Sequence, residues 1–414
     1  MKPNFKYSAG PVLEPRPGCT WADTMVLNPA IIKDNNSDTL HMLFRATGPY
    51  AHKKLEGAKY DPYPIFLGYA RSEDSGNKWE ADFSRPALEP RLEYDMDRIC
   101  ITDDEGRKVV NYSNGCVEDP RIFEAAGELY LSVACRMFPP GPYWLDNEKI
   151  VTRMENMPDW AVKEDNPFSG AAYRNSTTTV LYKLKLENLK KNDYDNAFTY
   201  VCNLTDPQID DNRDAFLFPE KMMIDGKQQY VLIHRPHNPE NFEAGKGHKK
   251  PSIMLAAAEN IKELASPKAI HKFLAEGIFD WEEERIGASW APISLGNGEW
   301  LLQYHGKTFP GYGYSQSFMI LKQKENDFPE IVHRCPERLM YPQQEWELPD
   351  KFPCPCLFTT AGILVDGQLI MSYGAADQRI GIARVDFKEL VEYIRLFDST
   401  GKNIERNDTY RMIY

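Results

Sequence analysis

Short apolar runs recur along the chain, each entered from a polar turn and followed, after a loop, by a second apolar run. The first runs are TLHMLFRAT (39–47), GELYLSVACR (127–136), GKQQYVLIHRP (226–236), GEWLLQYHG (298–306) and GQLIMSYGAAD (367–377). Their partners are IFLGYARSEDSGNKWE (65–80), TTTVLYKLKL (177–186), PSIMLAAAENI (251–261), SQSFMILKQKE (315–325) and IGIARVDF (380–387). Four of the first runs open on glycine and a polar residue, a hairpin signal. Five pairs in 414 residues leave roughly 80 residues per unit, room for a four-stranded blade in each. The pattern predicts an all-β fold: a five-bladed β-propeller built as one domain over residues 1–414. A pair of β-sandwiches would divide the chain into two blocks of composition, and no such division is seen.

Helical periodicity is confined to FKELVEYIRLF (387–397), where Phe387, Leu390, Val391 and Ile394 share one face. A short C-terminal helix packed on the propeller is expected there. Two segments break the repeat: 138–176, rich in Pro, Asn and Asp, and 237–250, HNPENFEAGKGHKK. In a propeller such insertions lie on the rim, where they wall the axial pocket.

Charge narrows the partners. A net charge of −12 disfavours nucleic acid and anionic membrane, so an anionic ligand would need a local cluster of basic groups. No apolar run is long enough to span a bilayer, and MKPNFKYSAG lacks an apolar signal core. A cytoplasmic location is the expectation. Eight cysteines and eight histidines show no zinc-type spacing, so reduced structural thiols and no metal site are expected.

The chemistry sits where strands end. Arg45, Arg136, Arg235, His305 and Asp377 close the five first runs, which are expected to be the inner strands of their blades. Charges at the same place in successive blades converge on the axial mouth. NGCVEDPRIF (114–123) adds an acidic pair, Glu118 and Asp119, before Pro120 and Arg121. A carboxylic acid acting on a glycosidic bond must hold a proton near neutral pH, which needs burial or a neighbouring carboxylate. Glu118 supplies that neighbour, although consecutive strand residues face opposite ways. Arg121 is expected to pair within its own blade.

VLNPAII (26–32), LFRAT, GCVEDPRIF, FLFPEK (216–221), HRP (234–236), RIGASWAPI (285–293), EWLLQYHG and SYGAADQRIGIAR (372–384) together resemble glycoside hydrolase family 130. That resemblance implies a five-bladed propeller acting on β-mannosides, mostly as an inverting phosphorylase that uses inorganic phosphate as co-substrate and no cofactor. It implies Asp119 as general acid, protonating the glycosidic oxygen through a substrate hydroxyl. Asn28, Arg45 and Asp377 match positions holding the −1 mannosyl ring; Glu118, Arg235 and His305 line the pocket. Arg136 matches a phosphate-binding arginine, Lys183 falls near a second basic phosphate position, and one of His234, His237 and His248 completes the anion site. The partner implied is a small oligosaccharide, and a homo-oligomer is among the assemblies implied.

A phosphorylase dispenses with a catalytic base, because phosphate is already a nucleophile; an inverting hydrolase needs a second carboxylate to activate water. Glu282, Glu283 and Glu284 in DWEEER (280–285) are candidates for such a base, which keeps a β-mannosidase as the alternative. A non-catalytic sugar-binding propeller would need a lost acid, and Asp119 stands in its motif.

Overall fold

A computed structural model describes residues 1–48, 63–140 and 157–404. Five antiparallel sheets form the five blades. Blade I comprises Met25–Lys33, Leu40–Thr47, Phe66–Ser72 and Glu80–Asp82, and blade II comprises Cys116–Ala125, Glu128–Arg136, Thr178–Leu184 and Phe198–Asn203. Blade III runs Asn212–Leu217, Lys227–Pro236, Ile253–Ala258 and Ile270–Ala275; blade IV runs Arg285–Ala288, Glu299–Thr308, Gly313–Lys324 and Asp327–Arg334. In blades III and IV the innermost strand resumes after a break, as Met222–Ile224 and Ile293–Gly296. Blade V takes Leu357–Val365, Gln368–Ala375 and Arg379–Asp386 from the C-terminal region and closes with Lys6–Tyr7, paired to Arg384 and Ala383.

The innermost hairpins of blades II to V turn through Ala126-Gly127, Asp225-Gly226, Asn297-Gly298 and Asp366-Gly367, all at positive φ. Two consecutive left-handed residues match the right-handed twist of the flanking strands, which is why glycine recurs there. Leu40–Thr47 is buried at every position, because a blade is covered on both faces by its neighbours.

One expectation needs correction. The runs carrying Arg45, Arg136, Arg235 and His305 are the second strands of their blades, and the innermost strands are the motif segments VLNPAII, VEDPRIF and their equivalents. Innermost strands start, and second strands end, at the same mouth. The connections at 138–176 and 237–250 also leave from this end, as does 48–65 of blade I; residues 49–62 and 141–156 lie outside the described residues. The insertions contain short helical turns, Ser169–Arg174 in the first and Pro239–Asn241 and Glu243–Gly245 in the second.

The C-terminal helix spans Phe387–Ile394, capped by Asp386, whose side chain accepts from Glu389 N at 2.9 Å. Leu390 and Ile394 are buried against blade V, with Phe387 and Val391 partly buried beside them. Among the described residues no helix is long and apolar enough to cross a membrane.

Candidate active site at the axial mouth

Three innermost strands carry the same irregularity. Asn28, Asp119 and Asp214 have φ of 45°, 53° and 51°, and the pairing register slips at each, between Leu27 and Ala30, Glu118 and Arg121, and Arg213 and Phe216. Asn and Asp tolerate the left-handed region better than most residues. Proline follows in the first two, where a bulge requires no ladder donor. Each bulge re-aims a polar side chain.

At Asp119 this overturns simple alternation. Glu118 and Asp119 both reach Arg45: Nη1 lies 3.0 Å from Glu118 Oε2 and 3.0 Å from Asp119 Oδ1. Asn28 Nδ2 donates to Asp119 Oδ1 at 2.7 Å. Burial alone would raise the Asp119 carboxyl, but Arg45, the Asn28 amide and Arg121 outweigh it and hold its pKa below the usual range. Its neighbours thus favour the carboxylate, against the protonated form expected from sequence. Asp377, on the left-handed turn Ala376-Asp377 of blade V (φ 52° and 54°), behaves oppositely. Burial raises its carboxyl and Asp119 adds to the rise, against the opposing pull of Arg45 and a Cys356 hydrogen bond. Gly374 of the same segment makes room for Asn28, because a Cβ there would fall on Asn28 Oδ1.

Arg121 does not pair within its blade. Its Nη2 donates to Asp214 Oδ1 of blade III at 2.7 Å and its Nε to the Ser289 carbonyl of blade IV at 2.8 Å, while Nη1 donates to the Asp119 carbonyl at 3.1 Å. One guanidinium thus ties three blades beneath the catalytic candidate. Asp214 also takes Arg235 on its second oxygen. Its carboxyl is held well below the ordinary range, because Arg235, Arg121 and His305 overcome burial.

A basic cluster forms between blades II and III. Arg213 and Arg235 are register partners and therefore point the same way. Arg136 Nε donates to Thr177 Oγ1 at 3.1 Å, and Thr177 Oγ1 donates to Asp211 Oδ2 at 3.0 Å. Asp211 Oδ1 accepts from Arg213 Nε at 3.1 Å, so one chain of contacts joins Arg136 to Arg213.

Two predicted members are absent from this cluster. Lys183 pairs with Tyr130 and Thr199, six positions along its strand from Thr177, or about 20 Å at about 3.3 Å per residue. The 177–186 strand runs away from the mouth, so its last residues cannot return to it. His234 lies on the opposite face of its strand from Arg235, with its ring against Phe242 and His271 and its Nδ1 2.9 Å from Asn212 Nδ2. The sequence reading missed Arg213 and Asp214. The signal was available: aligning VLNPAII, VEDPRIF and NRDAFLF sets Arg213-Asp214 over Glu118-Asp119.

His305 sits below the mouth, 0% exposed, with Nε2 3.5 Å from Asp214 Oδ2 and its ring 4.6 Å from that of Phe358. It supports the pocket floor and does not line the pocket surface. Burial pushes its pKa down to about 3, with Arg235, Arg121 and Arg285 adding to the drop against Asp214. The folded chain thus favours the neutral ring. That stability is complete above the unfolded value near 6.5 and is lost as pH falls toward 3, at up to about 1.4 kcal/mol per pH unit. The denaturant midpoint is expected to fall between pH 7 and 5, and less steeply in His305→Gln. An identical slope in that variant would remove this placement.

Two of the three acids in 282–284 are held by partners, and Glu283 is exposed. Glu282 is 0% exposed; its Oε2 accepts from Ile278 N at 2.8 Å, Phe279 N at 3.2 Å and Arg334 at 2.7 Å, and its Oε1 from Tyr304 OH at 2.7 Å. Glu347 repeats the arrangement one blade later, accepting from Gln343 N, Gln344 N and Tyr373 OH. Trp281-Glu282 and Trp346-Glu347 are thus a structural motif of the ring. Glu284 is ion-paired with Lys307 at 2.8 Å.

Paired carboxyls set against a cluster of arginines at the mouth of a five-bladed ring define a glycoside-processing propeller enzyme. The chain belongs to glycoside hydrolase family 130: the family model described as beta-1,4-mannooligosaccharide phosphorylase matches residues 168–396. It is 26% identical over 388 residues to a 1,2-beta-oligomannan phosphorylase of Thermoanaerobacter sp. strain X514, covering 93% of this chain and 98% of that one. It is 29% identical over 196 residues to a beta-1,4-mannooligosaccharide phosphorylase of Ruminococcus albus, covering 45% of this chain and 52% of that one. The beta-1,2-mannobiose phosphorylase of Listeria innocua, solved with beta-1,2-mannobiose, superposes with a TM-score of 0.63 at 17% identity, covering 95% of this chain and 99% of that one. At that identity the likeness carries the fold alone.

Proposed function

We propose that the protein is an inverting phosphorylase of β-mannosides. An oxygen of inorganic phosphate attacks the anomeric carbon, the glycosidic bond breaks, and the departing sugar oxygen takes a proton. The products are α-mannose 1-phosphate and a saccharide shorter by one mannose. The observation that carries this reading is the placing of Arg136, Arg213 and Arg235 together at the mouth, next to Asp119. Guanidiniums suit the planar, multidentate binding of a phosphate dianion. The loss of Glu282 as a base works in the same direction, and so do the named activities of the relatives.

Asn28, Arg45, Glu118 and Asp377 surround Asp119 and are proposed to hold the mannosyl ring. The two carboxyls at the mouth are driven apart in proton affinity, which separates their roles: Asp119 toward the anion and Asp377 toward the acid. A phosphate dianion seated on the arginines adds like charge beside Asp119 and raises its proton affinity. Asp119 is proposed to acquire its proton as phosphate binds and to pass it to the leaving oxygen by way of a sugar hydroxyl.

The test is product analysis with β-1,2- and β-1,4-mannobiose, each with and without inorganic phosphate. Mannose 1-phosphate formed only with phosphate is the expected result. Free mannose released at one rate in both conditions would overturn it in favour of hydrolysis.

A further inference from the structure

The face of blade III turned away from the arginine cluster borders a second cavity, of about 210 Å³. Leu204 and Thr205 from the connection after blade II form one wall, and His234, Phe242, Leu264 and His271 form the other. No lysine or arginine lines it, so nothing there answers an anion.

The two histidines are its distinctive feature. His234 is 2% exposed; its Nδ1 lies 2.9 Å from the Asn212 amide nitrogen and 3.3 Å from the amide oxygen, which leaves Nε2 to find another partner. That Nε2 is buried without a protein partner, and so is Nδ1 of His271. Burial keeps both rings neutral. Their centroids are 5.6 Å apart, and the Phe242 ring lies 4.9 Å from that of His271. A buried polar atom without a partner carries a desolvation cost that an apolar residue would avoid. Two such atoms lining one cavity point to a ligand that supplies their bonds.

Among the described residues no trio of His, Cys, Asp or Glu is placed to hold a metal ion, and with Asp206 and Glu243 also on the lining the partner that suits imidazole nitrogens and carboxylates alike is a hydroxylic one. An aliphatic wall beside an aromatic face suits the apolar side of a sugar ring. The size agrees: a cavity of about 150 Å³ accepts benzene, and this one has room for a six-membered ring carrying hydroxyls.

We infer that this cavity is a second carbohydrate site, taking one neutral pyranose ring whose hydroxyls bond His234 Nε2 and His271 Nδ1. The choice of a sugar rests on the reading of the axial mouth; the geometry of the pocket does not.

The experiment follows the imidazole proton and nitrogen resonances of the full-length protein during titration with methyl α-mannopyranoside, and separately with Zn²⁺. Saturable shifts of His234 and His271 are expected with the sugar. They should persist in Asp377→Ala, where the axial mouth is impaired, and the affinity read at His234 should weaken at least tenfold in His271→Leu, with Phe242→Leu as a second variant should that one not fold. No sugar-dependent shift, a shift lost in Asp377→Ala, or a response to Zn²⁺ alone would overturn the inference. Turnover is read separately, so failure of the phosphorylase reading would show as absent mannose 1-phosphate with these shifts intact.

Discussion

Asp119→Asn is expected to lower kcat/KM for mannobiose phosphorolysis by about 10³-fold or more, within the range general acid catalysis supplies. The fold should tolerate it. Asparagine keeps an oxygen for the Asn28 amide, and Arg45 retains Glu118 at 3.0 Å. The folded pKa of Asp119 lies below its ordinary value, so the carboxylate stabilises the fold above the unfolded pKa and ceases to do so on acidification. Asparagine therefore lowers stability at pH 7, a loss absent at low pH. A leaving group that needs no proton separates acid catalysis from mere disturbance of the pocket. With p-nitrophenyl β-mannoside the loss should shrink to about tenfold. An equal loss on both substrates would show that Asp119 shapes the site and does not deliver the proton.

Asp214→Asn is expected to have the largest effect on stability and to act on phosphate more than on sugar. Its carboxylate lies between Arg121, at 2.7 Å, and Arg235, and it is 2% exposed. Removing one partner of a buried ion pair leaves uncompensated charge and costs about 3–5 kcal/mol. Arg235 would also lose the contact that fixes its direction beside Arg213. The KM for phosphate should rise at least tenfold, against less than threefold for mannobiose, in protein confirmed as folded by its denaturant transition. A uniform fall in kcat with both KM values unchanged would reduce Asp214 to a structural residue remote from the anion.

These two predictions differ in how they arose. Asp119 is visible in the chain, because an acidic pair before proline is unusual at the head of an apolar strand and belongs to a recognisable motif. Asp214 is hidden in NRDAFLF, between an arginine and an ordinary apolar run. Only its left-handed bulge, shared with Asn28 and Asp119, marks it as their equivalent. Arg213 is hidden for the same reason, whereas Lys183 stands out because it is basic and falls near a phosphate position that the family resemblance implies. Sequence distance misleads in a blade: adjacent strands run in opposite directions, so a residue ten places on can lie at the far end of the sheet.

Apolar alternation and Gly-polar hairpin turns were enough for the chain itself to determine five blades, their second and third strands, and the terminal helix, because these signals are local. The motif segments likewise placed Asn28, Arg45, Asp119, Arg136, Arg235 and Asp377 at one mouth. Tertiary structure alone decided which strand lies innermost, that the bulge brings Glu118 and Asp119 onto one arginine, and that Arg121 bridges to blades III and IV. It alone decided that His305 is floor, that Glu282 is a structural cap, and which of the two carboxyls is pushed toward the protonated form. The reason is physical: backbone register and side-chain alternation are written within a few residues, whereas charge pairing and desolvation depend on groups that only the closed ring brings together.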